Sequence, residues 1–359
     1  MSAFMMISTV REGAEMNTLF FVMAGGAGTR FWPLSTKNMP KQFLCLFDGK
    51  SLLEMTLNRI SRHFDRNDIY ILTRESYINH ITNNYSIPPE HILGEKYPRD
   101  TSASVAIAVY YSLKIAQDPV CVILPSDHII ETPLDFYNDL ARIFEDLNCR
   151  DGIFTLGIKP SYPATGYGYL ELEGQSGQNQ LCRVVSFREK PDLSKASAYI
   201  ESGNFLWNSG IFIFRAQTMA KYIEEFLPTH LKIRDAFESS DYYSKLGEVL
   251  YSLPRISIDY AVMEKLQNIY TLPASFAWND MGGWLSLAGY LQGDKNGNYF
   301  NNSIHLLDAK NNIAYSEDRD EDIVLVGVND LVVVRADRKT LVIHKDHMED
   351  MKKITELFN

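Results

Sequence analysis

Gly25-Gly26-Ala27-Gly28-Thr29-Arg30 follows directly on the apolar run Leu19–Ala24. A buried strand that empties into a glycine-rich loop turns backbone N–H groups toward a phosphate, and a helix starting there adds its dipole. Spacing excludes two common phosphate loops. A P-loop ends in Gly-Lys-Ser/Thr, whereas this one ends in Gly-Thr-Arg-Phe, and a dinucleotide fingerprint needs a third glycine where Phe31 stands. Arg30 and Lys41 place two cations in the same stretch. Further on, Leu124-Pro125-Ser126-Asp127-His128 carries an aspartate past the end of an apolar run, where α/β sheets bind ligands. Adjacent Ser, Asp and His cannot form a hydrolytic triad in strand geometry. A carboxylate there suits a hard cation that also takes phosphate oxygens.

The continuation of the loop is more specific. Arg30-Phe31-Trp32-Pro33-Leu34-Ser35 leads to Pro40-Lys41-Gln42-Phe43-Leu44. This pattern resembles the sugar-1-phosphate nucleotidyltransferases. Its Phe-Trp and Lys-Gln-Phe forms are similar to the mannose-1-phosphate guanylyltransferase branch, whereas glucose-1-phosphate members read Pro-Lys-Pro. The similarity runs from about Leu19 to the C-terminus. It implies a Rossmann-like α/β fold with a mixed, mostly parallel sheet. It implies transfer of GMP from GTP to mannose 1-phosphate, giving GDP-mannose and pyrophosphate.

That reaction sets two anions against each other, so catalysis is mostly charge neutralisation and in-line positioning, with no protein nucleophile. Arg30 and Lys41 are then expected on the leaving pyrophosphate. Gly25, Gly26, Gly28, Thr29, Pro125 and Ser126 are expected around the nucleotide. Asp127 is expected to bind Mg²⁺. Trp278-Asn279-Asp280-Met281-Gly282-Gly283-Trp284 resembles the family's Asp-Val-Gly-Ser-Trp segment and supplies Asp280 as the partner carboxylate.

In Phe187-Arg188-Glu189-Lys190-Pro191 the resemblance implies that Lys190 grips the sugar phosphate and Glu189 a sugar hydroxyl. Gly168, in Thr165-Gly166-Tyr167-Gly168-Tyr169, lets a sugar approach backbone. Asn208 and Asp259 complete the sugar side. One departure stands out. Where the family often reads Gly-Arg-Asn-Thr-Ala-Pro-Ala, this chain reads Pro98-Arg99-Asp100-Thr101-Ser102-Ala103-Ser104. Asp100 and Thr101 remain the expected base-side residues. An aspartate keeps an acceptor for guanine N1–H and N2–H₂ but loses the amide donor. A nucleotidyltransferase using another NTP or sugar therefore stays open. A silent regulatory paralogue is disfavoured, because Arg30, Lys41, Asp127, Lys190 and Asp280 are all present.

The elements that must carry these residues are legible as alternation. Apolar runs at 19–24, 69–72, 120–124 and 152–158 read as strands. Amphipathic stretches at 51–64 and 136–147, and one beginning at Thr101 as its cap, read as helices. Strands follow at 167–171, 184–187 and 210–214, then a helix from Ala216 to Leu227. Past Gly293, short apolar strands recur near Ile304, Ile313, Ile323, Val332 and Val342, and a helix over 346–358 closes the chain. The expected division is a loose arm over 1–15, with Met16 a possible true start, a catalytic domain over 16–292, and a small β-rich domain over 293–359.

The 359 residues are 45% hydrophobic and 22% charged, the balance of a folded protein with a sizeable core. Net charge is 35 − 45 = −10, which excludes a general nucleic-acid binder but not a cleft holding a few cations. Cys45, Cys121, Cys149 and Cys182 show no CxxC spacing, and no apolar run approaches a membrane span. A basic segment ahead of the first apolar residues is missing, so a secretory signal is not expected. A cytoplasmic enzyme is the expectation, a homo-oligomer, in the simplest case a dimer, without membrane or nucleic-acid partners. Ending at Asn359, the sequence leaves no room for the cupin barrel of bifunctional relatives.

Overall fold

The computed structural model describes residues 17–358 apart from Ala27, Asp48, Gln175, Ser176, Gln178, Asn179 and Arg319. The expected arm over 1–15, and Met16, lie outside the described residues. The chain forms two compact units. The first joins the N-terminal strand, up to Gly25, to Leu57–Ser126 and Ile130–Trp278; the second comprises Gly26–Thr56, Asp127–Ile129 and Asn279–Asn359. The unit that holds the C-terminal strands is thus larger than residues 293–359. It recruits most of the glycine-rich loop, the Lys41 segment, Asp127 and Asp280, none of which a contiguous boundary could have assigned to it.

The first unit is built on one nine-stranded sheet. Its strands are β1 (Thr18–Met23), β2 (Ile69–Arg74), β3 (Ile92–Glu95), β4 (Val120–Pro125), β5 (Ile153–Ile158), β6 (Tyr169–Leu172), β7 (Cys182–Arg188), β8 (Phe205–Arg215) and β9 (Ile269–Pro273), in the order β3-β2-β1-β4-β8-β5-β9-β7-β6. β3, β2, β1 and β4 run parallel. β8 is antiparallel to both β4 and β5, and β9 pairs parallel with β5. The interior of β1 and of β4 is buried on both faces, which is why they read as continuous apolar runs rather than alternating ones.

The chain's helices up to this point are α1 (Leu52–Ser61), α2 (Ile78–Asn84), α3 (Thr101–Ile115), α4 (Pro133–Leu147), α5 (Leu193–Ser202), α6 (Ala216–Phe226), α7 (Leu231–Phe237), α8 (Tyr242–Ser252) and α9 (Ile258–Ala261). α4 starts with proline at its first position, where no N–H is needed, and buries Phe136, Leu140, Ile143, Phe144 and Leu147 along one stripe. α3 is buried nearly all round and belongs to the main core with Phe21, Leu72, Ile123 and Phe214.

In the second unit β10 (Gln292–Gly293), β11 (Tyr299–Phe300), β13 (Ile313–Ser316), β15 (Leu331–Ala336) and β16 (Lys339–His344) form one sheet, and β12 (Ile304–Leu307) with β14 (Ile323–Val326) another. β11, β13 and β15 pair in parallel, as do β12 and β14, so the chain coils from one sheet to the other and back. Strand alternation sorts the core. Ile313, Tyr315, Val332 and Val334 pack with Trp284, while Ala314 and Val333 face Ile323 and Leu325. Asn298 and Asn312 are 1% exposed and tie the coils together. Asn312 Nδ2 donates to Asn298 Oδ1 and to the Val328 carbonyl, both at 3.0 Å. Two short helices, α10 (Trp284–Leu287) and α11 (Met351–Glu356), complete the unit. The expected helix over 346–358 is instead a 3₁₀ segment, Lys345–Asp350, leading into α11.

Candidate active site

In the first unit the strand order reverses between β1 and β4, since β2 lies on one side of β1 and β4 on the other. Open α/β sheets bind ligands beyond the strand ends at such a point. Met23 and Pro125 are paired in register there, and Ser126 N donates to the Met23 carbonyl at 3.1 Å. Gly25 follows immediately. Its carbonyl accepts from Arg74 Nε at 2.7 Å, and Thr73 Oγ1 donates to the Ala24 carbonyl at 2.9 Å. Arg74 was not legible as a site residue; its place at the C-terminal end of β2 is the one signal that could have raised it. A β-carbon at Gly25 or Gly26 would meet nothing within 4 Å. Packing does not require glycine at either position, which leaves bare backbone as the use of both.

Asp100 and Thr101 open α3. Thr101 is not its cap: Asp100 is, its carboxylate accepting from Thr101 N at 2.8 Å. Asp100 holds φ 68° and ψ −177°, a region that is essentially glycine's, so backbone strain is stored at this position. The Thr101 hydroxyl oxygen accepts from Ile258 N at 2.8 Å. Nearby Glu95 is 5% exposed and bonded by the Ser104 hydroxyl. Burial pushes its carboxyl up to about 7, the Ser104 hydrogen bond opposing.

The sugar-side residues of the sequence reading also lie in the first unit. Glu189 follows β7 with its side chain 5% exposed and pairs with Lys190. Lys190 sits at φ 44°. Burial disfavours its charge, but the Glu189 carboxylate and then Asp259 hold the ammonium above its ordinary pKa. Gly168 is fixed by this pair, for a β-carbon there would stand 2.7 Å from Glu189 Oε2. Burial, then the Glu189 charge, pushes Asp259 up to about 7 against the pull of Lys190. Asn208 is 9% exposed, and its Oδ1 accepts from Thr155 Oγ1 at 3.1 Å and from Gly210 N at 3.2 Å. Glu264, which no motif announced, accepts from Glu189 N at 3.0 Å and so holds the backbone of the pair.

In the second unit Lys41 is the hub. Its ammonium stands 2.8 Å from Asp127 Oδ2 and donates at 2.8 Å to the main-chain carbonyls of Asp280 and of Met281. Burial works against the Asp127 charge, but Lys41, then His128, holds the carboxyl below the usual range. The Asp280 carboxylate accepts from Gly282 N at 3.0 Å, and Met281 is held at φ 47° with its N–H on Asn279 Oδ1. Gln42 Nε2 donates to the Gly26 carbonyl at 3.2 Å. Thr29–Phe31 form a 3₁₀ turn whose Phe31 ring packs on Trp284, and the Trp284 indole donates to the Trp32 carbonyl at 3.1 Å. No α-helix starts at the glycine loop, so the expected helix dipole is not available to a phosphate there. Backbone amides and the Arg30 and Lys41 charges are what that segment offers.

Residues 20–296 match the family model described as "Nucleotidyl transferase", and residues 302–357 match "MannoseP isomerase/GMP-like beta-helix domain". The chain is 33% identical, over 95% of its length and 72% of the relative's, to "Mannose-1-phosphate guanylyltransferase RfbM" of Salmonella typhimurium. It is 34% identical, over 94% of its length and 72% of the relative's, to "Xanthan biosynthesis protein XanB" of Xanthomonas campestris. A solved structure from Thermus thermophilus, given as "mannose-1-phosphate geranyltransferase", superposes with a TM-score of 0.85 at 32% identity, covering 96% of this chain and 99% of that one. Matched by the first of those family models over most of its length and by relatives at 33–34% identity, the chain belongs to the nucleotidyl transferase family and is a sugar-1-phosphate nucleotidyltransferase.

Proposed function

We propose that the enzyme transfers GMP from GTP to mannose 1-phosphate, releasing pyrophosphate. The observation that carries this reading is likeness over more than nine-tenths of the chain, through both units, to proteins named mannose-1-phosphate guanylyltransferase. In the reaction a phosphate oxygen of the sugar phosphate attacks the α-phosphorus of the nucleotide. The bond to the β-phosphate oxygen breaks, and pyrophosphate leaves with its electrons. Arg30 and Lys41 take the growing charge on that leaving group, a role that favours the transition state over the ground state. Lys190 holds the sugar phosphate. Glu189, with Asn208 and Asp259, receives sugar hydroxyls beside Gly168. Gly25, Gly26, Gly28, Thr29, Pro125 and Ser126 border the nucleotide, with Asp100 and Thr101 at the base.

Two aspartates meet the Lys41 ammonium, Asp127 through its carboxylate and Asp280 through its main-chain carbonyl, and each has a carboxylate to offer a cation. Both are hard oxygen donors. Among the described residues no three His, Cys, Asp or Glu side chains are grouped to enclose an ion. That donor set fits Mg²⁺, which binds through one or two carboxylates and substrate phosphates. When bound, the ion would neutralise phosphate charge, held by Asp127 and Asp280.

Pyrophosphate release measured with each of the four NTPs against mannose 1-phosphate and glucose 1-phosphate tests the reading. GTP with mannose 1-phosphate is expected to exceed every other pair by at least tenfold. Another pair in front would reassign the substrates, and no release from any pair would reject the activity.

Two further parts of the reading concern setting. The four cysteines are unpaired, which suits a reducing cytoplasm, and among the described residues no helix is long and apolar enough to cross a membrane. A homodimer is proposed through the β-rich strands, where Leu307 and Val326 lie in register on β12 and β14 and are exposed beside Val324. Sedimentation as a strict monomer at micromolar concentration would defeat it.

A further inference from the structure

The segment that opens α3 is stapled to the segment that opens α9. Arg99 donates to the Leu250 carbonyl at 2.6 Å and to the Tyr251 carbonyl. Ser102 N donates to the Ile256 carbonyl at 3.3 Å, and Ile258 N donates to Thr101 Oγ1 at 2.8 Å. The last two bonds are reciprocal. The first turn of a helix leaves its N–H groups without partners inside the helix. Here a first-turn N–H of α3 is satisfied by the approach to α9, and the first N–H of α9 is satisfied by a side chain of α3. The same N-terminal end of α9 is also capped by Ser257, whose hydroxyl accepts from Tyr260 N at 3.3 Å.

α9 is only four residues long, and Asp259 is its second. So short a helix holds its direction through its end contacts rather than through its own ladder. Ile258 is 1% exposed, so its amide has no solvent to fall back on if Thr101 withdraws. Asp259 in turn lies within electrostatic reach of Glu189 and Lys190. The Thr101 hydroxyl keeps its own proton for a further partner, but its acceptor side is committed to α9.

We infer that Thr101 is a positioning residue for the sugar-phosphate end of the reaction: through the Ile258 amide it fixes α9, and thereby Asp259 beside Glu189 and Lys190. This rests on the functional reading above, in which Asp259 and Lys190 serve the sugar phosphate. A substitution in the base-side segment should therefore show itself in the affinity for the other substrate.

The test uses the full chain carrying Thr101→Val, which keeps the side chain's shape and removes the acceptor. The KM for mannose 1-phosphate is expected to rise about tenfold, the scale of one buried N–H left unpaired. The KM for GTP, whose base Thr101 borders, should rise by a smaller factor than the KM for mannose 1-phosphate, and Thr101→Ser should restore the wild-type values. Ser257→Ala loosens the same end of α9 and should raise the sugar-phosphate KM in the same direction, which keeps the test available if Thr101→Val folds poorly. A GTP KM that rises as much as the sugar-phosphate KM overturns the inference, as does no change in either. Hydrogen exchange at Ile258–Ala261 reads the contact without turnover: faster exchange is expected in Thr101→Val, and unchanged exchange overturns the inference whatever the substrates are. If the wild type turns over no substrate pair while exchange still responds, it is the functional reading that fails.

Discussion

Gly28 is packed so closely on Lys41 that a β-carbon added to it would stand 2.3 Å from the Lys41 main-chain nitrogen and 2.6 Å from the Lys41 β-carbon. Gly28 also takes φ 59°, where an L side chain is strained. The glycine loop and the cation that serves it are thus one packed object, and the third glycine is required for protein rather than for phosphate. Gly28→Ala is expected to displace Lys41 and lower kcat by at least about tenfold, and to lower thermal stability as well, because the added β-carbon meets main chain. Steady-state kinetics beside a melting curve decides it. Wild-type kcat in Gly28→Ala would mean that the loop and Lys41 move independently.

Lys41 also sets the charge state of Asp127. With the ammonium 2.8 Å away, the Asp127 carboxyl stays ionised to lower pH than an ordinary aspartate, although burial pulls the other way. If Lys41 is replaced by glutamine, burial is left with less opposition and the carboxyl takes up its proton at higher pH. The acid limb of the pH–rate profile should therefore move upward in Lys41→Gln, on top of a lower rate. A residual activity with an unmoved acid limb would show that Asp127 is not the group titrating there.

Seven of the nine strands of the first unit were legible, β1 and β4 most plainly because parallel strands covered on both faces read as unbroken apolar runs; β3 and β9 were not read. The motif residues were legible by the runs that carry them: Arg30, Lys41, Asp127 and Lys190 each stand inside a segment whose order of residue types resembles the family's. Their partners were harder to read. The sequence puts Asp100 on the base side, and the structure adds that its carboxylate caps α3; a sequence shows that a carboxylate is present and not which N–H reaches it first. Glu264 and Arg74 act on backbone atoms of Glu189 and Gly25, and such contacts leave no spacing signature. The division into units was least legible. Residues 26–56 join the C-terminal strands through Phe31, Trp32 and Leu44 packing with Trp284, a pairing some 250 residues apart in the chain.

Glu95 gives the first unit a stability that falls with pH. Its carboxyl lies near 7 in the folded protein against 4.5 as the ordinary value. Below 4.5 both states hold the proton. Between 4.5 and 7 the unfolded chain has lost it and the folded one keeps it, so stability drains as pH rises through that window and is fully lost above 7. The ceiling on this effect is about 3 kcal/mol. Glu95→Gln keeps a partner for Ser104 without the charge. It is expected to match the wild type near pH 4 and to be more stable at pH 8. Urea unfolding at the two pH values measures the difference, and a gap that does not widen with pH rules out the buried carboxyl as its source.

Two buried asparagines tie the coils of the second unit together. Asn312 donates through Nδ2 to Asn298 Oδ1 and the Val328 carbonyl, and its Oδ1 accepts from Leu331 N at 2.9 Å. Asn298 donates to the Ala309 carbonyl at 3.0 Å and to Asp294 at 2.9 Å. These bonds lie where the chain turns from one sheet of the coil to the next. Asn312→Ala takes its partner from the amide nitrogen of Leu331, while the Val328 carbonyl keeps Lys310 N and Asn298 Oδ1 keeps the Asn312 N–H. One stranded amide and two lost bonds should cost about 1–3 kcal/mol. Asn312→Asp keeps the acceptor toward Leu331 and should recover only part of it. Urea unfolding followed through the fluorescence of Trp284, which packs on Tyr315 in the same core, reports on this unit directly. A loss below 1 kcal/mol in Asn312→Ala would place the hold on the coils in the strand pairings instead.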